Sequence, residues 1–175
     1  MHIKNTLTEY GLISKLLHWI SALLLFAQIP IGFYLVDLDF GVERINLENI
    51  HITVGLSIFY LVILRLIYKL FNPTPKLEPS IFKGQRFLAK LNHVMLYVTI
   101  LSITISGIFK KLFNGETLTI VFKKIKIQDN FQLGDLFYDV HVFSNYLLIV
   151  LIVIHLMAII AHKLFFNDNL LKKML

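Results

Sequence analysis

At 175 residues, 57% of them hydrophobic and with a mean hydropathy of +0.72, the chain is too apolar for an ordinary soluble domain. Charged residues make up 16%, against roughly 25% in soluble proteins. The balance is basic, net +6, but the lysines and arginines lie between apolar runs and not on a soluble module, which argues against nucleic acid as a partner. Cysteine is absent, so disulfides, iron–sulfur clusters, thiolate metal sites and covalently attached c-type haem are excluded.

A spanning helix needs about 20 mostly apolar residues to cross about 30 Å of hydrocarbon. Four runs qualify: roughly Leu12 to Val36, Glu48 to Phe71, Phe87 to Phe113 and Tyr138 to Phe166. They predict an all-α, four-helix transmembrane bundle forming a single domain over 1–175. The first run is too long for a cleaved leader and stays in the membrane. Pro30 lies late in it and is expected to kink it, which neighbouring helices tolerate. The segment Asn72-Pro-Thr-Pro-Lys-Leu-Glu-Pro79 carries three prolines and reads as a stiff, extended link. The segment from about Asn114 to Phe137 mixes apolar residues with lysines, and a short interfacial helix and a hairpin are both open there.

Basic residues near the helix ends set the orientation. Lys4, Lys15, Arg65, Lys69, Lys76, Lys83, Arg86, Lys90, Lys163, Lys172 and Lys173 fall on one side, eleven in all. Arg44, Lys110, Lys111, Lys123, Lys124 and Lys126 fall on the other, six in all. Both termini are therefore expected on the cytoplasmic side of a bacterial inner membrane.

Five of the seven histidines lie inside apolar spans: His18, His51, His93, His141 and His155. Ionisable groups at membrane depth are costly and mark function, and neutral imidazole is a common axial ligand of haem iron. A single such histidine is more often a packing residue; five in a chain poor in other buried polar groups favour a cofactor. His141 and His155 are fourteen residues apart, close to four helical turns, so they share a face and stand roughly 21 Å apart along the axis. That spacing suits two haems stacked across a bilayer. By depth, His51 is the natural partner of His141 on the outer side. On the inner side His18 and His93 both lie at the depth of His155, and geometry leaves either open. Ala22 and Gly55 follow His18 and His51 by four residues and offer room for a flat ring, as ordinary small-residue packing also does.

Leu17-His18-Trp19, Asn49-Ile50-His51 with Gly55, Val62-Ile-Leu-Arg65, the Asn72-Pro-Thr-Pro75 link, Asn92-His93 with Tyr97, Gly107, His141 with Asn145 and Tyr146, His155, Ala161-His162 and Asn167-Asp-Asn-Leu-Leu171 stand in order along nearly the whole chain. In these residues the chain resembles the bacterial cytochrome b-561 family, specifically its di-haem superoxide oxidase members. The resemblance implies two haem b groups, held by His18 with His155 on the cytoplasmic side and by His51 with His141 on the outer side. His93 then becomes a neighbour of the inner haem. It also implies electron transfer from superoxide to ubiquinone. The segment around Lys123-Lys124-Ile125-Lys126 matches no motif of the family.

Further expectations attach to single residues. Lys123, Lys124 and Lys126, with Lys110 and Lys111, supply positive potential that draws superoxide, or else form a solvated headgroup face. Arg65 and Arg86 are placed to pair with haem propionates, or to reach lipid phosphate. His162 follows His155 by two turns, roughly 10 Å along the axis, where the resemblance suggests contact with a quinone oxygen; the alternative is an interfacial histidine at a helix end. Trp19 is expected as an interfacial anchor. The rival functional reading is a cytochrome b anchor subunit that passes electrons between quinone and a soluble redox partner such as a hydrogenase or reductase. A proton-relaying transporter is the remaining class, and an absent haem spectrum would mark it.

Overall fold

The computed structural model describes residues 2–75, 84–165 and 170–175. Four helices are long and apolar enough to cross a membrane: α1 (Leu12–Asp37), α2 (Val42–Phe71), α3 (Gln85–Phe113) and α4 (Phe131–Phe165). Between α3 and α4 lies a two-stranded antiparallel hairpin, β1 (Leu118–Ile120) with β2 (Lys123–Ile125). A 3-10 turn at Leu170–Lys173 ends the chain. Lys76, Lys83, the 76–79 part of the proline-rich link, the span end at Phe166 and the 167–169 part of the C-terminal motif fall outside the described residues.

Two helices extend beyond their apolar runs: α2 begins at Val42 and α4 at Phe131, because Glu43 and Arg44 in the one and Gln132, Asp135 and Asp139 in the other lower the local hydropathy without interrupting the helix. α1 runs through Pro30 without a break. α2 ends where Asn72 turns extended ahead of Pro73, the conformation a residue before proline favours. Asn130 caps α4, its side-chain oxygen accepting from the Leu133 N–H at 3.1 Å. Gly84 holds a φ of 91° before α3, a left-handed conformation that glycine adopts without strain.

α3 packs most extensively on α4 and α1 on α2, with α2 against α3 joining the pairs. The buried core cluster is Ile58, Val62, Ile100 and Leu148, with Leu24, Leu25 and Ile29 of α1 packed against it. Leu148 lies midway between His141 and His155, so this apolar layer separates two polar ends of the bundle interior. Small hydroxyl residues let the helices approach: buried Ser144 meets Ser102 across α3 and α4 at 2.9 Å, and buried Ser21 returns its proton to the Leu17 carbonyl at 2.6 Å. Many large apolar side chains point outward, Leu23, Phe26 and Phe143 among them. A soluble protein does not tolerate such a surface, and lipid does.

The chain ends close over one end of the bundle. Asn5 donates to the Pro73 carbonyl at 3.1 Å and accepts from the Gly11 N–H at 2.9 Å and the Ser14 hydroxyl at 2.7 Å. The Trp19 indole donates to the Met174 carbonyl at 2.7 Å. Trp19 is thus a tie between α1 and the C-terminal segment, beyond the interfacial role expected of it.

Candidate functional site

Two histidine groups occupy opposite ends of the interior. At the hairpin end, His51 of α2 and His141 of α4 face each other with ring centroids 6.2 Å apart. Each ring meets a glycine on a facing helix. A Cβ on Gly32 would lie 3.2 Å from His51 Cε1, and one on Gly107 would lie 3.2 Å from both Cε1 and Nδ1 of His141. Those distances are tighter than ordinary van der Waals contact, so the glycines are what admit the imidazoles. His141 donates its Nδ1 proton to the Ile103 carbonyl at 2.7 Å, which fixes the tautomer and leaves Nε2 with a free lone pair.

Gln28 of α1 completes this end. Its side-chain amide donates to the backbone carbonyl of His51 at 2.7 Å, and it lies beside Gly55, where a Cβ would stand 3.4 Å from Gln28 Nε2. A Cβ at that distance is in ordinary van der Waals contact, so Gln28 alone does not require glycine at position 55. Among the described residues, His51 Nδ1 and Gln28 Oε1 are buried without a hydrogen-bond partner. Buried polar atoms are nearly always satisfied, and an unengaged imidazole facing a second one marks a place for a ligand.

The donor set, two imidazoles with apolar walls and no thiolate, suits a non-covalently held haem. His51 and His141 would hold such a group between them: their ring centroids stand 6.2 Å apart, and His51 Nδ1 is buried with no other partner among the described residues.

At the other end three histidines converge. His93 and His155 stand edge to face with centroids 5.4 Å apart, and His93 donates its Nδ1 proton to the Ala89 carbonyl at 2.6 Å. His18 instead accepts at Nδ1 from the Arg65 guanidinium at 2.8 Å. Arg65 also lies over the Tyr97 ring at 5.4 Å, as does Lys69 at 5.2 Å, an arrangement favoured by the ring quadrupole. Tyr10, on the N-terminal segment, has its phenol pushed up from its ordinary pKa, chiefly by burial. Gln85, at the start of α3, donates to His162 Nε2 at 2.7 Å across to α4. Arg86 is exposed in the first turn of α3.

The charged rim at the hairpin end is partly self-neutralised. Lys110 pairs with Glu48 at 3.7 Å, and Lys111 pairs with Glu116. Lys123, Lys124 and Lys126 are exposed. Gln28, Gly32 and Gln85 were not singled out from the sequence. A glutamine inside an otherwise apolar run was the available signal for Gln28; Gly32 carried none.

Imidazoles grouped at two depths in a bundle of four membrane-length helices are the architecture of a b-type membrane cytochrome. The family model described as prokaryotic cytochrome b561 matches residues 9–175. The chain belongs to that family, and is a membrane electron-transfer protein of a family that binds haem b. It is similar to cytochrome b561 homolog 2 of Escherichia coli strain K12, 25% identical over 179 residues, covering 100% of this chain and 95% of the relative. It is also similar to the probable superoxide oxidase CybB of Yersinia pestis, 26% identical over 181 residues, covering 100% of this chain and 97% of the relative.

Proposed function

We propose that the chain is a di-haem superoxide:ubiquinone oxidoreductase of a bacterial inner membrane, with both termini in the cytoplasm. The observation that carries this reading is the pairing of His51 with His141 at the end that bears the exposed hairpin lysines, with a second histidine group at the far end. The likeness to a relative named a probable superoxide oxidase supports the choice of donor.

Haem b, when bound, supplies one-electron chemistry. His51 and His141 would hold the outer group. His155 with His18 would hold the inner one, as the family resemblance implies, with His93 beside them. In the net reaction two superoxide anions each give up one electron and leave as dioxygen. One ubiquinone gains two electrons and two protons and becomes ubiquinol.

The chain's own residues do the rest. Positive potential from Lys123, Lys124 and Lys126 concentrates the anion at the outer face. The Ile58, Val62, Ile100 and Leu148 layer keeps water and ions out of the path between the two ends. At the inner boundary, His162 with Gln85 would bind a quinone oxygen and hand it a proton, and Arg65 and Arg86 would answer propionate charge.

The test is a spectrum of the purified protein, with haem quantified, before and after a pulse of superoxide. Two haems b per chain that become reduced, and that added ubiquinone reoxidises, are the expected result. Haems that superoxide leaves oxidised would sink the proposed donor and favour an anchor subunit serving a soluble redox partner.

A further inference from the structure

We propose that the hairpin between α3 and α4 is a membrane wedge: the Val121–Phe122 tip enters the outer leaflet beside the bundle, and the adjoining lysines grip anionic phospholipid headgroups. The inference does not depend on the proposed electron donor.

The turn chemistry is the first reason. Ile120 pairs with Lys123, so Val121 and Phe122 form a two-residue turn. Two-residue hairpin turns need positive φ at one or both central residues, and where only the first has it that position normally takes Gly. Here a β-branched residue holds a φ of 57°, an unfavourable conformation for its side chain. Apolar residues placed against local preference point to a use for apolarity at that spot.

Exposure is the second. Phe122 is 94% exposed and Val121 65% exposed, while Leu118 at the hairpin base is 3% exposed and seats the hairpin on the protein. The base is anchored and the tip projects. An apolar tip in water is unfavourable in proportion to its area, and the bilayer that the four helices cross is the apolar phase at hand.

Charge is the third. Lys123 and Lys124 directly follow the tip and Lys126 comes next, all exposed. An aromatic residue with lysines beside it suits the layer between acyl chains and phosphates. A zwitterionic surface leaves these charges free to draw an anion, whereas an anionic surface engages them. The wedge and the steering of superoxide therefore compete as the anionic lipid fraction rises.

The natural absence of cysteine makes the experiment clean. Phe122→Cys and Thr119→Cys are each labelled with an environment-sensitive fluorophore and placed, haem-loaded, in vesicles of phosphatidylethanolamine and phosphatidylglycerol. The expected result is blue-shifted emission at Phe122→Cys, quenched more by nitroxide-bearing lipid than by aqueous iodide, with the opposite order at Thr119→Cys. A second measurement is trypsin cleavage after Lys123 and Lys124 on the outer face, expected to be slow and to speed several-fold with Phe122→Asp. Retained haem absorption shows that each variant is folded. A label at Phe122→Cys that iodide quenches as freely as at Thr119→Cys overturns the proposal. So does a label shielded from both quenchers, which would mean that a protein surface covers the tip.

Discussion

Arg65 donates its guanidinium to Nδ1 of His18 at 2.8 Å. Arginine has no acceptor atom, so His18 offers the lone pair of Nδ1 and the neutral ring carries its proton on Nε2. That leaves neither nitrogen for a metal, so holding a haem through His18 requires Nδ1 to give up the Arg65 contact. His93 and His141 are in the opposite state, their Nδ1 protons given to backbone carbonyls. Arg65 therefore sets the tautomer of His18. Replacing it with Ala should leave both haems bound and move the midpoint potential of one. Loss of a cation favours the oxidised form, so that potential should fall, by an amount on the order of 59 mV for a tenfold change in a one-electron equilibrium. Arg65→Lys should recover most of the shift. Redox titration followed by absorption reads it, and two unchanged midpoints would remove Arg65 from this role.

The four imidazoles proposed as iron ligands predict a simple stoichiometry. His51→Ala and His141→Ala should each reduce haem from two per chain to one, with the same residual spectrum. His18→Ala should leave the complementary spectrum, and His93→Ala should keep both haems. If His93→Ala loses a haem while His18→Ala does not, the inner pair is His93 with His155, as their 5.4 Å ring contact would then indicate.

That ambiguity shows where sequence reading ran out. Hydropathy located the four spans because lipid imposes length and composition on them. Depth along each helix paired His51 with His141. Rotation about the helix axis is not legible in depth, so His18 and His93 stayed equivalent, and the Arg65 contact that separates them is purely tertiary. The sequence leaves helix and hairpin both open between α3 and α4, because Val121 stands where a turn of this kind ordinarily carries Gly. Gly107 was noted only as a marker of resemblance; its reason emerged when its missing Cβ was found to face His141.

The glycines lead to a second structural prediction. Gly107→Val places methyl groups where even a Cβ would lie 3.2 Å from the His141 ring, and Gly32→Val does the same to His51. Overpacking costs about 1–3 kcal/mol, and here it falls on the imidazole side chains. Both variants should lose or weaken the outer haem spectrum while the inner one persists. Comparable loss from both haems would mean that the bundle as a whole, and not the outer pair, had been disturbed.

At the inner boundary, Gln85 and His162 are joined at 2.7 Å. His162→Phe keeps the ring volume and removes both nitrogens. The haems should still be reduced by the donor, but reoxidation by ubiquinone should slow by about 10²-fold, within the range for a lost proton-transfer group. Stopped-flow absorption separates the two phases, and unchanged reoxidation would place the quinone elsewhere.

Charge at the outer rim yields a kinetic test. Lys110 and Lys111 are paired with Glu48 and Glu116, while Arg44 donates to the Leu38 carbonyl, so among the described residues the hairpin cluster of Lys123, Lys124 and Lys126 carries most of the outer positive charge without a carboxylate partner. Changing all three to Gln should lower the second-order rate of haem reduction by superoxide by about tenfold or more at low salt, the lower end of steering effects. The deficit should shrink as ionic strength rises, because the Debye length falls to about 10 Å at 0.1 M. The rate of ubiquinone reduction from pre-reduced protein should not change. A loss that persists undiminished in high salt would point to a local contact made by one lysine. Steering would then give way to a defined binding site at the hairpin.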